Sequence, residues 1–383
     1  MKVLHLVKTA DGAAWAWRQM RELKALGVDI EVALPGPGAM VQKYSDLSIP
    51  VHFLNCDLGA VRSPLLLWRM VRGLQDLVAK SRPEILHSHF VGTTMLARIA
   101  LGRRPKPLRI FQVPGPLHLE NGLTRRAEIV LASSADRWIA SCGLTRDIYL
   151  KSGIDRARVG LSFYGTDIDA LKLGQRGKLR LELGLAPETK IVGMVAYIYA
   201  PKRWLGQSRG LKGHEDLIDA LAILRRQGRD VAGVFAGGAW GKVEDYAQIV
   251  QNYGRKRLGE RAIFLGTRND VRDVYADFEV AVHPSHSENL GGAVESLAAG
   301  IPTVATRVGG FPDIVIDGET GWLADAKSPA SLAAAIAQIL DQPGESRKRA
   351  LAGRKLVEEQ LDVRRTATQV FNYYQDSVAT GVR

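Results

Sequence analysis

Short runs of β-branched and aliphatic residues alternate with helical patterns from the first residue of this chain onward, with Gly or Pro at the junctions. KVLHLV leads to a helical pattern over 13–26 and then to DIEVALP. The series continues through VHFLN, a helix over 65–80, EILHSHF, a helix over 93–101, LRIFQV and DRWIASC. This is the rhythm of parallel strands joined by crossover helices, and six strands suffice for one Rossmann-like lobe. Over 167–190 the rhythm lapses into the polar stretch DIDALKLGQRGKLRLELGLAPETK, which reads as an interdomain connection. A second series then follows: IVGMVAYIY, a helix over 214–227, VAGVFAGG, a helix over 243–258, RAIFLGT, FEVAVHPS, a helix after Gly291, IPTVATRV and GWLA. The expected fold is therefore α/β, with two Rossmann-like domains facing across a cleft. They are placed at 1–168 and 180–361, and one final amphipathic helical stretch (345–380), from about 362 onward, folds back on the first.

Size and composition agree with two domains. A chain of 383 residues outgrows a single core, and its 46% apolar and 24% charged residues are an ordinary globular mixture. Only Cys56 and Cys142 occur, and no His/Cys cluster has metal-ligand spacing, so neither a disulfide framework nor a zinc site is indicated. The start reads as a first strand rather than a signal peptide, and no window approaches the roughly 20 apolar residues of a membrane span. A cytoplasmic location is expected. The net charge of +12 attracts anions. Nucleic acid is disfavoured, because no aromatic RNA-binding signature, basic zipper or zinc finger is present. The segments WRMVRGLQDLVAKSR and GRRPKPLR suit either a solvated basic face or peripheral contact with an anionic membrane, which would be the inner face of the plasma membrane.

Ligands of doubly wound sheets collect beyond the carboxyl ends of the strands. The richest such loop is SENLGGAVESLAAGIPTVATRVGG. Glu288 and Glu295 lie seven positions apart, nearly two helical turns, so on one helix both carboxylates face the same side. Gly291 and Gly292 let backbone approach a phosphate at a helix N-terminus. In the first lobe Gly12 follows the first strand, a placement shared by simple helix-start turns. His87 and His89 alternate on a strand and share a face, and His118 follows a Pro-Gly-Pro turn.

The segment HPSHSENLGGAVESLAAGIPTVATRVGGFPDIVIDGETGWL resembles the nucleotide-binding core of family 4 glycosyltransferases: an apolar strand, Pro-Ser, then two glutamates around a Gly-containing helix start. The family separates its glutamates by seven residues, whereas Glu288 and Glu295 have six between them. The resemblance implies the GT-B fold and retaining transfer of a hexose, glucose favoured, from a nucleoside-diphosphate sugar, UDP favoured, to a saccharide or lipid-linked hydroxyl. It implies no cofactor and no bound metal. Glu288 then lies by the donor sugar, Glu295 holds the ribose, and the amides of Leu290, Gly291 and Gly292 meet sugar or phosphate.

RGLKGHEDLIDALAIL is similar to the family's Lys-Gly segment and makes Lys212 the diphosphate ligand. Tyr197 stands where the family has Arg, which leaves Arg209 or Arg203 to supply a second cation. Thr267 and Arg268 line the base, and a glycine such as Gly12 commonly faces the diphosphate. The family's HxH is present as His87 and His89, but Pro114 occupies the usual His before Gly115, so His118 or His89 is expected at the sugar. Tyr164 replaces the Asn of the hinge-adjacent Asn-Gly-Val-Asp element. Lys212, Glu288 and His118 are the expected catalytic groups. A GDP-mannose-dependent enzyme and a non-catalytic nucleotide-sugar-binding protein are the alternatives. A dehydrogenase is excluded, since KTADGAAW lacks the full GxGxxG.

Overall fold

The central strand runs identified above are buried on both faces, the signature of a parallel sheet covered by helices on either side, whereas VHFLN and RAIFLGT are only partly buried. The computed structural model describes residues 1–380 except 172, 204, 205 and 242. These residues divide into two units, Met1–Asp167 together with the chain from Gln360 onward, and Ile168–Glu359.

In the first unit, β1 (Lys2–Leu6), β2 (Asp29–Leu34), β3 (Val51–Phe53), β4 (Ile85–Ser88), β5 (Leu108–Gln112), β6 (Asp136–Ala140) and β7 (Val159–Leu161) form a parallel sheet in the order β3-β2-β1-β4-β5-β6-β7. The six expected strands become seven, because the three-residue β7 pairs with β6. The direction of winding reverses between β1 and β4. His5 and His87 are register partners there. Local chemistry sets the helix ends. Ser63 accepts the Leu66 amide at 3.2 Å and Pro64 occupies the first position of helix Pro64–Ser81.

The C-terminal helical stretch consists of two helices, Pro343–Gln360 and Val363–Thr380. Between them Thr166 takes over the backbone pairing, its amide donating to Leu361 O at 2.8 Å and its carbonyl accepting from Val363 N at 3.0 Å. Helix Val363–Thr380 lies against helix Ala14–Ala25, with Ala367, Val370 and Tyr374 fully buried among Ala16, Met20 and Leu23.

In the second unit, β8 (Lys190–Val195), β9 (Val231–Ala236), β10 (Ala262–Gly266), β11 (Val280–His283), β12 (Thr303–Thr306) and β13 (Trp322–Ala324) run in the order β10-β9-β8-β11-β12-β13, reversing between β8 and β11. The polar stretch taken as a connection is largely part of this unit. Its helix Lys178–Glu182 buries Leu179 beside Ile191 and Phe278, and Asp277 accepts the Arg180 amide at 2.9 Å.

Candidate active site

A pocket of about 340 Å³ opens at the carboxyl edge of the second sheet, over the β8/β11 reversal. Four strand ends build it. The chain leaving β8 supplies Ala196, Tyr197 and Tyr199, β9 supplies Gly237, and β10 supplies Thr267 and Arg268. From β11 onward come His283, Ser285, Glu288, Gly292 and Glu295. Lys212 enters from the turn before helix His214–Arg226.

Lys212 and Glu288 pair directly inside this pocket, with side-chain exposures of 20% and 15%. Burial pulls the ammonium toward its neutral form, but the charge of Glu288 and its hydrogen bond outweigh that and raise the Lys212 pKa. The other Glu288 oxygen accepts the Asn289 amide at 3.1 Å, and Tyr199 lies under the ammonium, 5.8 Å from ring centroid to Nζ. Two glycines make this approach possible. At Gly309, φ is +57° and a Cβ would sit 1.6 Å from Glu288 O; at Gly213, φ is +74° and a Cβ would sit 2.0 Å from Pro284 O. His283, held neutral by burial with its pKa lowered to about 3, bonds Ser296 Oγ at 2.9 Å behind the wall.

The two glutamates meet in one pocket by a route other than the expected one. The helix begins only at Ala293 and runs to Ala298; Gly291 has φ +47°, so Glu288 lies in the preceding loop and not on a shared helical face with Glu295. Leu290 and Gly291 sit in the loop just outside the lining, Leu290 buried and Gly291 packed on the Glu288 side chain. Arg209 is not brought to the pocket. Its guanidinium bonds Asp216 at 2.5 Å and Asp219 at 2.8 Å, and Arg203 is also outside the lining. The second cation at the wall is Arg268, itself paired with Asp270 and Glu182 at 2.7 Å each. Tyr199, His283 and Ser285 were missed by the sequence reading, although their place just after strands was a usable signal.

In the first unit, Gly12 precedes helix Ala14–Ala25, but the left-handed residue there is Ala13 (φ 61°), and a Cβ on Gly12 would meet only Thr9 at 3.6 Å. His118 lies in the short helix Leu117–Glu120 against Phe111, with burial lowering its pKa to about 4 and its Nε2 without a partner. His87 and His89 do share a face, and His5 joins them. One nitrogen from each of these three buried rings lies within 4.8 Å of the others, a cluster that linear spacing did not reveal and that bears on the expectation of no metal. The rings stack rather than radiate from a centre: the His87 and His89 centroids are 4.2 Å apart at 22°. Their hydrogen bonds form a chain. Tyr164 donates to Gln112 O at 3.2 Å, so its oxygen accepts from His89 Nδ1, and His89 Nε2 then accepts from His5 Nδ1, both at 2.9 Å.

Solved structures share this architecture over almost the whole chain. The Anabaena protein HepE in complex with UDP-glucose aligns with a TM-score of 0.79 at 23% identity, covering 98% of this chain and 99% of that one. Sucrose-phosphate synthase of Thermosynechococcus elongatus aligns at 0.79 and 20% identity over 99% and 100%. At such identities the likeness speaks for the fold. Residues 12–161 match the family model of the glycosyl transferase 4-like domain, and residues 204–355 that of glycosyl transferases group 1.

The chain is a glycosyltransferase of the GT-B fold. Among curated relatives, the D-inositol 3-phosphate glycosyltransferase 2 of Catenulispora acidiphila is 28% identical over 368 residues, 84% of this glycosyltransferase and 80% of the relative. The D-inositol 3-phosphate glycosyltransferase of Mycobacterium marinum is 33% identical over 271 residues, 67% of this chain and 55% of the relative. The glycosyltransferase thus spans about half the length of several curated proteins that it matches. None of its described helices is long and apolar enough to cross a membrane.

Proposed function

We propose that this glycosyltransferase is a family 4 enzyme that moves a hexose, glucose favoured, from a UDP-sugar to a hydroxyl of a saccharide or lipid-linked acceptor, with retention at the anomeric carbon. The observation that carries the donor reading is the meeting of Lys212, Glu288 and Glu295 in one pocket at the carboxyl edge of β8 and β11. A leaving nucleoside diphosphate gains negative charge as its bond to the anomeric carbon breaks, and a preorganised ammonium stabilises that charge most in the transition state. Lys212 fills this role. Glu288 holds the sugar hydroxyls and Glu295 the ribose. Gly292, which lines the pocket, offers its amide to phosphate or sugar, and Thr267 and Arg268 border the base. The acceptor's proton passes to the departing phosphate oxygen as its hydroxyl bonds the anomeric carbon on the same face. Gly12 and His118 keep the roles that the resemblance gives them, toward diphosphate and sugar, and neither metal nor cofactor takes part.

The names of the relatives and of the HepE complex support a nucleotide-sugar donor, and the inositol-phosphate relatives are compatible with a polar hydroxylic acceptor. Helix Pro64–Ser81 presents Leu65 and Trp68, 57% and 59% exposed, beside exposed Arg69 and Arg72. That combination supports peripheral contact of a cytoplasmic enzyme with the anionic inner face of the plasma membrane, where polysaccharide assembly uses lipid-linked acceptors.

The test is a panel of UDP-, GDP- and ADP-sugars, with and without EDTA, read by thermal shift and by nucleoside diphosphate release. Selective stabilisation by UDP-glucose with slow, EDTA-insensitive hydrolysis is expected. Selectivity for GDP-mannose would transfer the reading to a mannosyltransferase, binding without turnover under any acceptor to a non-catalytic binder, and no binding at all would sink it.

A further inference from the structure

Lys212 and Glu288 belong to two different loops, and something must hold those loops in register. Lys212 sits in the turn Gly210–Gly213 before helix His214–Arg226, and Glu288 in the loop that follows Pro284. The backbones meet by a hydrogen bond, His286 N donating to Leu211 O at 2.8 Å, and by close packing of Gly213 on the Pro284 carbonyl. A further link is between side chains. His286 Nε2 lies 2.5 Å from Asp216 Oδ2, with side-chain exposures of 8% and 3%. Asp216 lies in the first turn of the helix that Lys212 precedes, and its other oxygen is held by Arg209. Arg209 is anchored in turn on Asp219, which also accepts from Tyr253 Oη at 2.7 Å. Burial disfavours the Asp216 carboxylate, yet the bonds from His286 and Arg209 hold its pKa below the ordinary value. Neither His286 nor Asp216 lines the pocket.

We propose that the Asp216–His286 pair, backed by Arg209, is a positioning clasp that sets the Lys212 ammonium opposite Glu288 and so tunes the enzyme for the outer phosphate of its donor. This deepens the donor reading above and rests on it. Lys212 hangs from the turn that the clasp fixes, whereas Thr267 and Arg268, assigned to the base, hang from β10, and Glu295 sits in its own helix beyond the clasped loop. Loosening the clasp therefore weakens recognition of the outer phosphate selectively.

The experiment compares, by calorimetry on the full-length enzyme, the nucleoside diphosphate among UDP, GDP and ADP that binds with its own monophosphate. Lys212→Ala calibrates the loss. His286→Ala is expected to lower diphosphate affinity about tenfold and leave the monophosphate within twofold, and to add no further loss in the Lys212→Ala background. His286→Gln, whose amide can still donate to Asp216, is expected to recover most of the loss. In turnover, His286→Ala lowers kcat more than it raises the donor KM, because Lys212 acts most strongly on the charge of the transition state. Equal losses for both nucleotides, an unchanged diphosphate affinity, or full additivity with Lys212→Ala overturns the clasp while the donor reading stands. Failure of the wild-type enzyme to bind any of the three diphosphates overturns the donor reading and the clasp together.

Discussion

Lys212 and Glu288 form an ion pair inside the pocket where β8 and β11 part. A diphosphate entering that pocket competes with the Glu288 carboxylate for the same ammonium, and exchange of one anion for another leaves Lys212 charged throughout. Lys212→Ala is therefore expected to reduce kcat/KM by about 100-fold, the scale of losing one preorganised donor to developing charge. Glu288→Gln keeps the side-chain shape and is expected to reduce kcat with a smaller change in nucleoside diphosphate affinity. A Glu288→Gln enzyme with unchanged kcat would remove Glu288 from the sugar site.

The glycine under Glu288 offers a steric test. Gly309→Ala places a methyl 1.6 Å from Glu288 O at a left-handed backbone position, whereas Gly318→Ala, at φ +84°, meets nothing within 4 Å. Both carry the conformational cost of about 1 kcal/mol. Only Gly309→Ala is expected to lose donor binding as well, and matched melting and binding curves of the two variants separate the effects.

Acid should destabilise the fold. Burial lowers the pKa of His5 and His283 to about 3 and of His214 to about 4, against 6.5 for an exposed imidazole. The folded state keeps these rings neutral, while the unfolded chain takes up protons below pH 6.5. Stability is thus at its full value above 6.5 and falls as pH drops from there toward the folded values, by up to about 1.4 kcal/mol per pH unit for each ring. Melting temperatures from pH 7.5 to 5 should fall monotonically, and His5→Gln should flatten the slope; a flat wild-type profile would refute this.

A buried ionic cluster ties β5 and β6 of the first unit to the helices beside them. Arg98, 1% exposed at its side chain, bonds Glu128 at 2.7 Å and Asp136 at 2.9 Å, and Asp136 also takes Arg109 at 2.8 Å. The Trp138 indole donates to Glu128 at 2.9 Å. Removing one member leaves uncompensated charge, so Arg98→Ala is expected to cost about 3–5 kcal/mol in denaturant unfolding. The exposed pair Arg354–Glu358 serves as a control, and its loss should cost under about 1 kcal/mol.

The parallel α/β series, its division into two lobes, and the loops that carry Lys212, Glu288, Glu295, Thr267 and Arg268 were legible in the sequence. They rest on local periodicity and on strand ends, both written in consecutive residues. β7 was not legible, because three residues show no period, and neither was the backbone pairing of Thr166 with Leu361 and Val363.

What the sequence by itself determined is therefore the kind of sheet, the order of its elements and the inventory of charged groups near the strand ends. Only the tertiary structure decided how those charges are partnered. Arg209 and Lys212 are both cations three residues apart, yet Asp216 and Asp219 take the first while Glu288, from 76 positions away, meets the second in the pocket. His5 joins His87 and His89 because β1 and β4 pair in register. The physical reason is the same in each case: an ion pair or a buried imidazole is specified by distance and desolvation in space, and those arise between segments that local pattern treats as independent.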